Sequence, residues 1–117
     1  MSLTRHASAC CTHWPLASAI CAPCRYLIDD LGFKGLRFDF CKGYNGKFAG
    51  QYARAALGDS QGFAVGEYWV PLSYDSQGKQ LYDQENNRKE LAKWIDESGG
   101  RCLAFDFATK GILQVRC

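Results

Sequence analysis

At 117 residues the chain has room for one small domain, and its 47 % hydrophobic and 14 % aromatic content supports a packed core, which excludes wholesale disorder. With 14 basic and 12 acidic residues the net charge is +2, too slight to suggest a nucleic-acid partner, and no basic stripe compensates. No apolar run approaches the ~18 residues of a membrane span, so no membrane partner is expected.

Residues 1–24 are rich in Ala, Ser and Cys, with Arg5 and no acid. This leader has the look of a poor signal or transit peptide, its apolar run broken by Thr12, His13 and Pro15. It is set apart as an unassigned leader, with a domain expected over residues 25–117; secreted, plastid and cytoplasmic destinations are all open to it. The seven cysteines are an odd count. Cys10, Cys11, Cys21 and Cys24 crowd the leader, while Cys41, Cys102 and Cys117 are scattered, a distribution expected of reduced thiols rather than a disulfide framework.

Residues 25–31 carry Tyr26, Leu27, Ile28 and Leu31, with Gly32 as a stop, and predict the last turns of a helix. Residues 36–40 predict a strand, with Leu36, Phe38 and Phe40 alternating against Arg37 and Asp39, so both charged side chains point the same way. Phe48, Tyr52 and Ala55 or Ala56 recur at helical spacing over residues 45–57, with Gly58 to end the helix. Residues 63–67 form a continuous apolar run ending in Glu67, as expected of a strand covered on both faces. Residues 71–85 predict a long polar loop. Asn87 and Glu90 have capping-box spacing ahead of a helix bearing Leu91, Trp94 and Ile95, which Gly99 and Gly100 close. Residues 103–107 predict a third strand.

Strands separated by helices predict a parallel sheet with crossover connections. The first two strands then lie about 4.8 Å apart, with Asp39 and Glu67 at their C-terminal ends. That brings the two acids near the ~5 Å separation of a retaining glycosidase pair.

The run Gly35-Leu36-Arg37-Phe38-Asp39-Phe40-Cys41-Lys42-Gly43-Tyr44 resembles the fourth-strand motif of the α-amylase family of glycoside hydrolases, closest to the plant type. Phe63-Ala64-Val65-Gly66-Glu67-Tyr68-Trp69 resembles the fifth-strand motif. Asn87 to Trp94, then Phe105-Asp106-Phe107-Ala108-Thr109-Lys110-Gly111-Ile112-Leu113, resemble the following helix and sixth strand. The resemblance spans about residues 26–114 and leaves out the leader. It implies an α/β fold, a partial (β/α)8 barrel of about three units, and endo-hydrolysis of α-1,4-glucan with retention of configuration. Asp39 would be the nucleophile that forms a glycosyl-enzyme ester, and Glu67 the general acid and then base. Arg37 would hold Asp39 ionised, whereas Glu67, beside Tyr68 and Trp69, would be partly desolvated. Trp69 would stack on a sugar, and Lys42, Gly43 and Tyr44 would line neighbouring glucose sites. The Gly43 carbonyl matches a ligand to a structural calcium ion.

The family's histidine and acid motifs of strand three and earlier, most calcium ligands, and the third catalytic carboxylate after strand seven have no counterpart here. Asp106 is read as structural, and His6 and His13 lie outside the match. The chain therefore looks like the middle of such an enzyme, with sheet edges open to self-association and with little activity expected from it alone. Two other classes compete. One is an inactive or glucan-binding regulator built on the same sequence. The other is a thiol redox module on Cys21 and Cys24, a C-x-x-C ahead of a helical pattern, or a zinc module with Cys10, Cys11 and His13.

Overall fold

The computed structural model describes residues 15–58 and 62–114. Helix α1 (Pro15–Arg25) runs into a wide π turn, Tyr26–Asp30, which ends at Gly32 with φ of 75°. Then follow strand β1 (Gly35–Phe38), a 3-10 turn (Cys41–Gly43), helix α2 (Gly46–Leu57), strand β2 (Phe63–Gly66), helix α3 (Glu85–Glu97), strand β3 (Leu103–Ala104) and helix α4 (Phe107–Gln114). The three strands form one parallel sheet in the order β1-β2-β3, as the alternation of helix and strand predicts.

Period-two alternation explains what faces the helices. Leu36 and Phe38 of β1 are buried while Arg37 between them is exposed. With Ala64 of β2 and Cys102 they form a core against Ala49, Tyr52, Ala53, Ala56 and Leu57 of α2, Trp94 of α3 and Cys21 of α1. Two glycines one turn apart let α2 lie against the end of α3. A Cβ on Gly46 would fall 2.4 Å from the Trp94 carbonyl oxygen, and one on Gly50 2.2 Å from that of Ser98. Gly66 makes the same room on the sheet, where a Cβ would meet the Trp94 indole at 2.3 Å.

Asn45 caps α2, its side chain accepting from the Lys47 N–H at 2.9 Å, and the Arg101 guanidinium donates to the Gly58 carbonyl at the other end at 2.8 Å. Gln84 and Asn87 are buried and pin the long loop before α3. The Gln84 amide donates to Ser73 and Leu81 carbonyls and accepts from the Ser73 N–H, and the Asn87 amide donates to the Val70 and Pro71 carbonyls. Asn87 is thus no helix cap: α3 starts two residues earlier, and burial recruits the amide to loop carbonyls that would otherwise lack partners.

One further expectation differs from the structure. The predicted third strand is only Leu103–Ala104, because Asp106 begins α4: its carboxylate accepts from the Thr109 N–H at 2.9 Å and the Thr109 hydroxyl at 2.6 Å. The hydrogen bonds also hold Asp106 below the usual carboxylate range, the Thr109 side chain first among the causes. Helix α1 spans residues 24 and 25, packs on α2 and buries Cys21 in the core. Residues 1–14 of the leader lie outside the described residues.

Candidate active site

Strands β1 and β2 are in register from Gly35 opposite Phe63 to Phe38 opposite Gly66. β1 stops two residues and β2 one residue short of the predicted ends, so Asp39 and Glu67 are the first residues beyond them, side by side at the C-terminal edge of the sheet. Backbone pairing continues past the strands and fixes both positions. The Glu67 N–H donates to the Phe38 carbonyl at 2.8 Å, and the Cys41 N–H donates to the Glu67 carbonyl at 3.0 Å.

Between Asp39 and Cys41 the chain turns sharply at Phe40, which has φ of 45° and ψ of 50°. A left-handed backbone disfavours an L-residue by about 1–2 kcal/mol. The turn drops Cys41 into the core, where its thiol donates to the Phe38 carbonyl at 3.1 Å and accepts from the Tyr44 hydroxyl at 3.6 Å. Burial pushes the Cys41 thiol and the Tyr44 hydroxyl up. Both stay protonated and act as anchors for the turn that carries Asp39.

One guanidinium joins the two acids. Arg37 Nη1 lies 2.7 Å from Asp39 Oδ1, and Arg37 Nη2 lies 3.2 Å from Glu67 Oε2. The planar fork of arginine suits such a bridge, because its donors are fixed relative to one another. The Asp39 side chain is 74 % exposed and that of Glu67 25 %, so the carboxylates share a cation but differ in their access to water. Two neighbouring acids in unlike surroundings can divide nucleophile and proton-donor roles.

Of the other predicted residues, Lys42 and Gly43 are exposed on the turn after Asp39. Tyr44 differs from expectation. Its ring packs against the core and its hydroxyl is engaged with Cys41, because the left-handed turn directs this segment inward. Trp69, two residues beyond Glu67, is exposed and stacks on Phe107, with ring centroids 5.1 Å apart and planes 16° from parallel. Phe107 and its edge-on neighbour Phe105 were not singled out from the sequence. The signal available was the Phe105-Asp106-Phe107 spacing, which puts both rings on one face of the strand expected over residues 103–107.

The dithiol alternative finds no activated thiol. Cys21 and Cys24 lie in the second half of α1, away from a helix N-terminus, and burial raises Cys24. Among the described residues no group of three or more His, Cys, Asp or Glu could hold a metal ion. Cys10, Cys11 and His13 lie outside them. No helix among the described residues is long and apolar enough to cross a membrane.

No protein-family model matches the chain. Among curated proteins, it is 41 % identical over 90 residues to a probable alpha-amylase 2 of Arabidopsis thaliana, covering 77 % of this chain and 21 % of that protein. It is 39 % identical over 89 residues to the chloroplastic alpha-amylase 3 of the same plant, covering 76 % of this chain and 10 % of the relative. The chain thus spans about a fifth and a tenth of the lengths of these two. Across that shared stretch, about three quarters of its own length, the chain is a sequence relative of the plant α-amylases.

Proposed function

We propose that Asp39, Glu67 and Arg37 form the reacting centre of an α-amylase-type site that cleaves α-1,4-glucan internally with retention. The observation that carries this reading is the Arg37 guanidinium bridging two carboxylates at the ends of adjacent parallel strands. In it, residues 25–117 contribute about three units of a (β/α)8 barrel, corresponding to strands four to six. Asp39 attacks the anomeric carbon to form the ester, and Glu67 protonates the departing glycosidic oxygen. Glu67, now a carboxylate, then takes a proton from water, which displaces Asp39 and restores both acids. The lower exposure of Glu67 supports the proton-donor role, and the direct 2.7 Å contact with Arg37 orients Asp39 for attack. Trp69, Lys42 and Gly43 line the glucan.

Calcium would be a structural ion in this reading. The Gly43 carbonyl would supply one of the six to eight oxygens that the ion takes, and the described residues gather no acidic cluster to complete the set. A plastid location is in keeping with the chloroplastic relative.

The test is a chimera in which residues 26–114 replace the matching stretch of a plant α-amylase. The expected result is starch hydrolysis that releases the α-anomer and falls by at least about 10³-fold in Asp39→Asn and in Glu67→Gln. Release of the β-anomer, or a folded Asp39→Asn chimera that keeps its rate, overturns the reading.

A further inference from the structure

Trp69 is one ring of a larger aromatic group. Phe107 lies against it at 5.1 Å and 16°, and Phe105 meets Phe107 edge-on at 6.1 Å and 69°. The Lys110 ammonium stands 6.0 Å from the Phe107 ring centroid. Phe107 is half-buried, while Trp69 is 57 % and Phe105 40 % exposed. Offset stacking and edge-to-face contact are the favoured arrangements for such rings, so the three restrain one another's orientation.

The backbone beneath them is restrained as well. Phe107 is the first residue of α4, whose start is fixed by the Asp106–Thr109 bonds. The helix is pressed onto the segment that follows Trp69, since a Cβ on Gly111 would fall 2.2 Å from Leu72. The Phe105 N–H donates to the Gly66 carbonyl at 3.2 Å, which ties this aromatic segment to the residue before Glu67. An exposed indole held in one orientation from below presents a flat apolar face, at little entropic cost on binding, two residues from Glu67. Pyranose rings offer a flat C–H face to such a surface, whereas their hydroxyls require polar partners at the edges.

We propose that Phe107 is the positioning residue that holds Trp69 as a sugar platform, with Phe105 bracing Phe107 edge-on. This deepens the proposed function and rests on it. The site takes an α-glucan of several units, one of which stacks on Trp69 while the others reach the polar residues around Glu67.

The experiment is calorimetric titration of the 117-residue chain with maltoheptaose and with glucose, for the wild type and Phe107→Leu, Phe107→Ala and Phe107→Tyr. Leu keeps apolar bulk for the fold but loses the flat face, and Tyr restores it. We expect wild-type binding to maltoheptaose well above that to glucose, about three- to tenfold weaker affinity in Phe107→Leu and Phe107→Ala, and recovery to within about twofold in Phe107→Tyr. A thermal midpoint unchanged in Phe107→Leu separates lost stacking from lost folding. Maltoheptaose affinity in Phe107→Leu equal to that of the wild type overturns the platform while leaving the glucan reading intact. A wild-type chain that binds no maltoheptaose overturns both.

Discussion

Arg37 sits between two acids, and its energetic role differs from its chemical one. Its side chain is 51 % exposed, and ion pairs at such sites contribute about 0–1 kcal/mol to stability. Removing it therefore leaves the fold nearly unchanged while placing two carboxylates beside each other without a shared cation. We expect Arg37→Ala to shift urea unfolding by about 1 kcal/mol or less, yet to lower starch hydrolysis in the chimera at least about tenfold. Stability loss of several kcal/mol, or an unchanged rate, would show that Arg37 serves packing alone. Phe40 is the second residue of note here. Its strained backbone was not legible in the sequence, because alternation assigns it to the strand; burial of Cys41 and the Tyr44 contact are what force the turn.

Among the elements, α4 depends most on a single side chain. The carboxylate of Asp106 serves both the backbone and the hydroxyl of Thr109, and cap removal costs about 0.5–2 kcal/mol. Because hydrogen bonding lowers its folded-state pKa, the ionised carboxylate favours the folded chain. That stabilisation is present above the ordinary carboxylate pKa and is lost as pH falls through the lower, folded value. We expect Asp106→Ala to lose about 1 kcal/mol at pH 7, with a smaller difference from the wild type at pH 2 to 3. Asp106→Asn should keep most of the cap and none of its own titration. Thermal unfolding across pH checks all three, and a constant Asp106→Ala difference would remove the carboxylate from the account.

At the scale of the molecule, the described sheet has two edge strands, β1 and β3; one face packs on the helical core and the other is covered only in part, at Val65. Phe63 at 56 % and Leu103 at 54 % exposure stand on the other. Parallel sheets are ordinarily covered on both faces, and open edges invite pairing with other chains. Asp39 and Glu67 stand side by side beyond β1 and β2, on a chain that spans only about a fifth and a tenth of the lengths of the relatives it matches. We therefore expect the 117-residue chain alone to cleave maltoheptaose at less than about a tenth of the chimera's rate. Its oligomeric state, measured by light scattering beside the assay, decides the interpretation. Full turnover in a self-associated form would mean that a second copy supplies the missing surroundings.

The sequence by itself determined the alternation of helix and strand from β1 to β3, the parallel sheet and the adjacency of Asp39 with Glu67, because apolar periodicity and strand spacing are local properties that survive without neighbours. It also supplied the kinship with plant α-amylases, which rests on ordered motifs. What only the tertiary structure decided are the features set by long-range contact. Asn87 left its expected cap for the carbonyls of Val70 and Pro71, 17 and 16 residues away, which only its amide nitrogen reaches, its oxygen being buried without a partner. Tyr44 turned inward toward Cys41, and Phe107 came to rest under Trp69 from 38 positions further along the chain. Local patterning says which face a residue prefers; only packing says which distant residue it meets there.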